Sequence, residues 1–341
     1  MSAFLKGFLY FYRKTNSMNS IKYISISGLF SMLFVLPIFS QSASVAVSEK
    51  VTYSVSKDSV STRLEYLTSD LLEGRDTGTK GGELAAAHLE NYFKSLSILP
   101  YFESYRDTLS NFEKPAYNIV GFLEGTDPKL KDEFIIFSAH YDHIGIIDKK
   151  VEKDSIANGA NDNATGCLAV AEIARYFSSQ KNNKRSILFV FFSGEEKGLL
   201  GSRHLAAKLK SENFNLYSML NFEMIGVPMK RDFLTYITGY NKSNMAEKMN
   251  EYAGKKTVGF LQAELHYRLF MASDNFPFFL EFNVPAQTVS TFDFENYNYY
   301  HHVSDEFSQM NTDFMTDYIQ EMLPIVTKMV NASEKEIVLK K

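Results

Sequence analysis

Four apolar segments of strand length, separated by helix-like sequence, constrain the fold of this chain most strongly. The segments span residues 118–123, 133–138, 186–192 and 218–222. The third, SILFVFF, is apolar throughout except for its first residue, which is typical of a strand covered on both faces. Helical patterns occupy residues 166–178, 198–209, 244–252 and 312–332, and a short strand is predicted at 286–289. This alternation predicts a three-layer α/β/α fold with a mixed, largely parallel central sheet.

Composition narrows the class of protein further. The chain has 341 residues and a formal charge of −4, which becomes −8 when the first 44 residues, with four basic and no acidic side chains, are left out. An acidic body of this kind is a poor binder of nucleic acid. The single cysteine, Cys167, excludes an intramolecular disulfide, a Cys-rich zinc site and an iron–sulfur cluster.

The N-terminal region has the pattern of a secretory signal peptide. Residues 24–39, ISISGLFSMLFVLPIF, follow Lys22 and precede the small residues QSASVAV. We therefore predict a signal peptide at 1–46, with Met18 as a possible start, and a single domain at 47–341. The protein should be exported to a periplasmic or extracellular location, without stable membrane insertion after cleavage. The alternative is an uncleaved N-terminal anchor.

Polar side chains follow the predicted strands at the points where they end. The segments concerned are AHYDH at 139–143, SGEE at 193–196, Glu223, GANDNAT at 159–165 and YYHHVSD at 299–305. Ligands of open α/β sheets bind beyond the carboxyl ends of the strands. We therefore expect these groups to converge on one edge of the sheet.

Together these segments supply two imidazoles and three carboxylates, with one further carboxylate to spare. Nitrogen and oxygen donors of this kind suit zinc or another divalent first-row metal. Two ions that share one carboxylate would use all five ligands and leave the sixth group free as a base.

The same segments resemble the dizinc aminopeptidases of peptidase family M28. The matching blocks are SAHYDHIG, GANDNATG, FFSGEEKGLLGS, NFEMIG, ASDNFPF and YHHVSDE, in that order, and LTSDLLEGRDTGTKGGELAAAHLENYF at 67–93 is similar to the family's N-terminal segment. The likeness covers roughly residues 60–330.

The resemblance implies a role for each matching residue. His140 and Glu223 would bind the first metal, Glu196 and His301 the second, and Asp162 would bridge the two. Glu195 would be the general base that activates a metal-bound water, and Asp142 would orient His140. The resemblance also implies a cis peptide bond between Asp162 and Asn163.

Two departures from the family pattern bear on the metal sites. The family usually has Asp where this chain has Glu223, whose extra methylene must be accommodated for the carboxylate to reach the ion. The last block often reads YHT, whereas His302 follows His301 here. We choose His301 as the ligand because it lies four residues before Asp305, and keep His302 as the alternative.

The resulting prediction is an exported aminopeptidase with two zinc ions that acts on peptides with a free N-terminus. No arginine that could bind an α-carboxylate is recognisable, so carboxypeptidase ranks lower. Asp274 and Tyr267 are expected near the substrate, with helix capping as the alternative role of Asp274. The competing functions are a single-zinc glutaminyl cyclase on the same fold and a non-catalytic binding domain on the peptidase scaffold.

Overall fold

A nine-stranded sheet runs through residues 53–341, the part of the chain that this computed structural model describes. The predicted signal peptide at 1–46, with the possible start at Met18, lies outside the described residues. The strands are β1 Leu99–Pro100, β2 Arg106–Thr108, β3 Tyr117–Leu123, β4 Phe134–His140, β5 Gly145–Val151, β6 Asp154–Ala157, β7 Ser186–Phe192, β8 Leu216–Glu223, β9 Thr235–Ile237, β10 Val258–Gly259 and β11 Ala286–Ser290. The helices are α1 Lys57–Leu67, α2 Lys80–Ser95, α3 Thr165–Gln180, α4 Leu200–Ser211, α5 Met245–Ala253, α6 Gln262–Tyr267, α7 Asn275–Phe282 and α8 Thr312–Asn331.

The middle of the sheet is parallel, and an antiparallel pairing joins it to the strands on either side. The order is β1-β3-β7-β4-β8-β11-β9-β10, with β2 also paired to β3. The neighbouring pairs β7–β4, β4–β8 and β8–β11 are all parallel, whereas β3 runs antiparallel to β7 and β9 runs antiparallel to β11. The predicted mixed, largely parallel sheet is therefore confirmed.

Helices cover both faces of this sheet, because side chains along each central strand alternate between two apolar cores. Along β4, Ile135 and Phe137 belong to one core and Ile136 to the other. The larger core contains residues of α1, α2, α3, α5 and α8, and the smaller one contains residues of α4 and α7. Burial on both faces explains why the sequence of the central strands is almost continuously apolar.

The five predicted strands and the predicted helices are present, with boundaries displaced by at most a few residues. The sequence did not reveal the antiparallel hairpin of β5 and β6 or the short strands β1, β2, β9 and β10. Within residues 53–341 no helix combines the length and apolar character that a membrane crossing requires.

Candidate active site

His140 is the last residue of β4 and is 1% exposed. Its Nδ1 atom lies 3.0 Å from the backbone oxygen of Asp142, which can only accept a hydrogen bond. Nδ1 therefore carries the proton, and the lone pair of Nε2 is free to bind a metal ion. Nε2 faces two carboxylates, at 3.3 Å from Asp162 Oδ1 and 3.3 Å from Glu223 Oε2.

The loop that carries Asp162 is held by Asp305. One carboxylate oxygen of Asp305 accepts a hydrogen bond from Asn161 N at 2.7 Å, and the other accepts one from Asp162 N at 3.0 Å. Asn163 ties the same loop to the end of β8, since its side-chain amide donates to Phe222 O at 2.9 Å. The peptide bond between Asp162 and Asn163 is cis, as expected from the resemblance.

The turn after β7 presents Glu195 and Glu196 side by side, and the carboxylate of Asp142 fixes it. Asp142 Oδ1 accepts from Glu195 N at 3.2 Å, and Oδ2 accepts from Glu196 N at 3.3 Å and from the hydroxyl of Thr77 at 3.0 Å. The carboxylate is 3.7 Å from His140 Nδ1, which instead bonds to the Asp142 backbone. That side chain positions the two glutamates and lies beside His140, so its expected role in orienting His140 stays a prediction.

Glu223 reaches the site despite its additional methylene. It is the last residue of β8, and its Oε1 accepts a hydrogen bond from Ser273 Oγ at 2.7 Å while Oε2 faces His140. The serine hydroxyl therefore holds the longer side chain with its other carboxylate oxygen toward His140.

His301 and His302 point in different directions. His301 Nε2 lies 3.0 Å from Glu196 Oε2 and 3.3 Å from Asp162 Oδ2. His302 Nδ1 instead accepts a hydrogen bond from Ser304 N at 3.0 Å within its own turn. This arrangement favours the choice of His301 over His302 as the ligand.

The donor atoms form two groups that suit divalent ions. Those of His140, Glu195 and Glu223 lie within 4.8 Å of one another, as do those of His143, Asp162, Glu196 and His301. Donors bound to one tetrahedral zinc ion at about 2.0–2.2 Å are about 3.3–3.6 Å apart. Asp162 has one oxygen 3.3 Å from His140 Nε2 and the other 3.3 Å from His301 Nε2, which matches this spacing.

The electrostatics of these groups reflect many charges held in a buried space. Burial by itself would lower the pKa of His140, but the charges of Glu223 and Glu195 raise it well above the usual range. Burial also opposes ionisation of Asp162, yet hydrogen bonds to His140 and His301 hold the pKa of Asp162 well below its usual range. Burial, with the nearby charges of Glu223 and Asp274, raises the pKa of Glu195 well above normal.

A cavity of about 310 Å³ opens beside the first group. His140, Asp162, Glu195 and Glu223 line one side of it, and the opposite walls are uncharged. These walls consist of Met224, Tyr236, Thr238, Tyr267, Leu269, Ala272, Ser273, Thr288, Ser290, Phe292, Phe294 and Tyr300.

The two residues predicted near the substrate differ in position. Tyr267 lies in the cavity wall, half exposed, with its ring stacked on Phe294 at 4.3 Å between centroids. Asp274 is fully buried, and the cavity lining does not include it. Its side chain makes no capping hydrogen bond to α7 either, so the structure supports neither expected role for Asp274.

Three residues of the site have contacts that the sequence analysis did not predict. His143 is completely buried beside Glu196, and Asp305 anchors the Asp162 loop. Arg75, also buried, donates to the backbone oxygens of Tyr141 and Gly159 and thereby joins the loops that carry His140 and Asp162. All three lie in blocks that resemble the family, with His143 three residues after His140 and Asp305 four after His301, but no sequence pattern predicts their contacts.

Comparisons with known proteins agree with this geometry. The model of Peptidase family M28 matches residues 118–326. A probable zinc metalloprotease of Pyrenophora tritici-repentis is 35% identical over 117 residues, which cover 34% of this chain and 26% of the relative. A probable leucine aminopeptidase of Arthroderma benhamiae is 27% identical over 191 residues, 53% of this chain and 48% of the relative. The matched segment thus spans about a quarter of the length of the first of these relatives.

Solved structures share the fold at low sequence identity. The Legionella pneumophila LapA aminopeptidase has a TM-score of 0.64 at 21% identity over 82% of this chain and 73% of that one. A Bacteroides thetaiotaomicron glutaminyl cyclase has a TM-score of 0.60 at 16% identity over 83% of this chain and 99% of that one. The fold is therefore that of the zinc exopeptidases. With the family model matched over most of the described residues, the chain belongs to peptidase family M28.

Proposed function

We propose that this protein is a zinc-dependent aminopeptidase with two metal ions per chain. The observation that carries the proposal is the Asp162 carboxylate, which has one oxygen toward His140 and the other toward His301, beside a cavity. His140, Asp162 and Glu223 would hold the first ion, and Asp162, Glu196 and His301 the second. Divalent cobalt or manganese could occupy the same donors.

His140, Asp162, Glu196, Glu223 and His301 would hold the ions, whose Lewis acidity would polarise the scissile carbonyl and acidify the attacking water. Glu195 accepts the proton of that water and then delivers it to the leaving amine. This carboxylate lies in the cavity wall next to the first group of donors, within reach of a substrate placed there. Asp142 keeps it in position through the Glu195 backbone.

The cavity favours a substrate with an apolar first side chain. Apart from His140 and the three carboxylates, its described lining is uncharged and rich in aromatic rings, among them Phe292, Phe294 and Tyr300. This lining includes no lysine or arginine that could bind an α-carboxylate. A free N-terminus is therefore the better match, with bulky apolar residues such as leucine or phenylalanine preferred.

We further propose that the protein is exported. The support is the sequence of residues 24–39, a short apolar stretch after basic residues and before small ones. Determination of the N-terminus of the protein recovered from cell fractions tests this: a start near residue 47 is expected, and an intact N-terminus would contradict cleavage.

Glutaminyl cyclase is the second candidate, because solved cyclases share the fold. A cyclase of this type needs one zinc ion. His140 Nε2 lies 3.3 Å from both Glu223 and Asp162, so these three residues can bind an ion in addition to the one that a cyclase needs. This arrangement favours the hydrolase.

The direct test combines the metal content of the purified mature protein with cleavage of leucine p-nitroanilide, with and without chelator. About two ions per chain and chelator-sensitive release of the amine are expected. A single ion, no hydrolysis and cyclisation of a peptide with N-terminal glutamine would replace the proposal by the cyclase. Absence of both activities would favour the non-catalytic domain.

A further inference from the structure

His143 lies inside the second group of donors, although it is not among the ligands that the family resemblance assigns. Its Nδ1 atom is 2.9 Å from Glu196 Oε1 and 3.7 Å from Asp162 Oδ2. Its ring is edge-on to His301 with 5.6 Å between centroids. The side chain is fully buried, so the imidazole faces this group of donors and not the solvent.

The fold makes room for this imidazole at one particular glycine. A Cβ atom on Gly159 would lie 2.5 Å from both Cγ and Cδ2 of His143. Gly159 also has a φ of +56°, a conformation that side-chain-bearing residues rarely adopt. The ring therefore packs directly against the backbone at the start of the Asp162 loop, which holds Nδ1 toward the carboxylates.

We propose that His143 is a fourth protein ligand of the metal site formed by Asp162, Glu196 and His301, and that it makes this site the tighter of the two. The inference rests on the proposed metal-dependent function. With His143 the second site has two imidazoles and two carboxylates, a complete tetrahedral set. The first site has one imidazole and two carboxylates and borders the cavity, so a coordination position stays open to substrate.

The alternative role for His143 is that of a hydrogen-bond donor to Glu196, which would position that ligand without binding the ion. The two roles differ in what glutamine can replace. A glutamine at 143 can still donate a hydrogen bond through its amide, but an amide is a poor ligand for zinc compared with an imidazole. His143→Gln therefore separates the two roles.

The experiment is a titration of the zinc-loaded full-length protein with a chelator, in which zinc retained per chain is measured. For the wild type we expect the two ions to be lost separately. The ion of the second site should be lost at a chelator concentration at least tenfold higher than the ion of the first site. His143→Gln should weaken the second ion at least tenfold, so that the two losses merge. His88→Gln, at a histidine on α2 that belongs to neither group of donors, is the matched control and should titrate like the wild type.

X-ray absorption at the zinc edge, on protein loaded with one equivalent, provides a second measurement. Two imidazoles per ion are expected in the wild type and one in His143→Gln. Circular dichroism verifies folding of every variant. One imidazole in the wild type, or unchanged retention in His143→Gln, would overturn the inference and leave the aminopeptidase proposal intact. A wild-type protein that retains no zinc would overturn both.

Discussion

The carboxylate of Asp162 directs its Oδ1 atom to His140, with 3.3 Å between Oδ1 and Nε2 of the imidazole. The other oxygen, Oδ2, lies 3.3 Å from Nε2 of His301. His140 ends a central strand, whereas His301 belongs to a loop 161 positions further along the chain. A single side chain therefore connects two groups of donors that the fold brings together from distant segments.

Asp162→Asn should weaken retention of both ions, at least tenfold each, because a neutral amide replaces the shared anionic ligand. Glu223→Gln should weaken only one of them. Metal content after dialysis against a graded chelator measures the difference. Asp317→Asn, an exposed change on α8, is the control. Loss of only one ion in Asp162→Asn would show that this carboxylate is not shared.

Arg75→Met should lower the free energy of unfolding by at least about 3 kcal/mol, because several buried backbone carbonyls lose a charged donor. The guanidinium bonds to the oxygens of Leu67, Tyr141, Asn158 and Gly159. Urea unfolding of the metal-free protein measures this loss. Arg203→Met, at an exposed arginine that bonds a single carbonyl, should change stability by less than about 0.5 kcal/mol. Equal effects of the two substitutions would contradict the structural role of Arg75.

Strands and helices could be predicted from the sequence where the local pattern of apolar residues determines the structure. Strand β7 was predicted with its observed boundaries because burial on both faces leaves an unbroken apolar run. The hairpin of β5 and β6 was missed because much of it is exposed and carries polar residues such as Asp148 and Asp154. Its pairing has no strong apolar signature.

Some residues of the candidate site could likewise be predicted from local sequence, and others could not. The seven predicted metal and catalytic residues lie in distinctive blocks, and the fold brings them together. Asp305 and Arg75 lie in such blocks too, but they act on segments more than 60 residues away, so local spacing could not predict their contacts. Asp274 was placed near the substrate by its block, but its burial depends on packing that the sequence does not display.

Asp274→Asn should stabilise the metal-free protein at pH 8 but not at pH 4. Burial raises the pKa of Asp274 to about 7, although the nearby charge of His140 and the hydroxyl of Ser202 act to lower it. Between about pH 4 and 7 the native state holds a proton that the unfolded state releases, so this group costs stability as pH rises. The amide removes that cost, on the order of 4 kcal/mol above pH 7. Thermal unfolding at both pH values measures it, and an equal shift at pH 4 would contradict the account.

Tyr267 should contribute through its ring and not through its hydroxyl. The ring stacks on Phe294 in the cavity wall, and among the described residues the hydroxyl has no recorded hydrogen-bond partner. Tyr267→Phe should leave kcat and KM for leucine p-nitroanilide within about twofold, whereas Tyr267→Ala should raise KM about three- to tenfold through lost apolar contact. A large fall of kcat in Tyr267→Phe would instead indicate that the hydroxyl assists the reaction.

We propose that Glu195 transfers the proton while other residues hold the metal ions. The most direct measurement is turnover of leucine p-nitroanilide by Glu195→Gln, with zinc content determined on the same sample. We expect wild-type zinc content and a fall in kcat of about 10²–10⁴-fold. Substantial turnover with both ions bound, or loss of an ion together with activity, would contradict the assignment of Glu195 as the base.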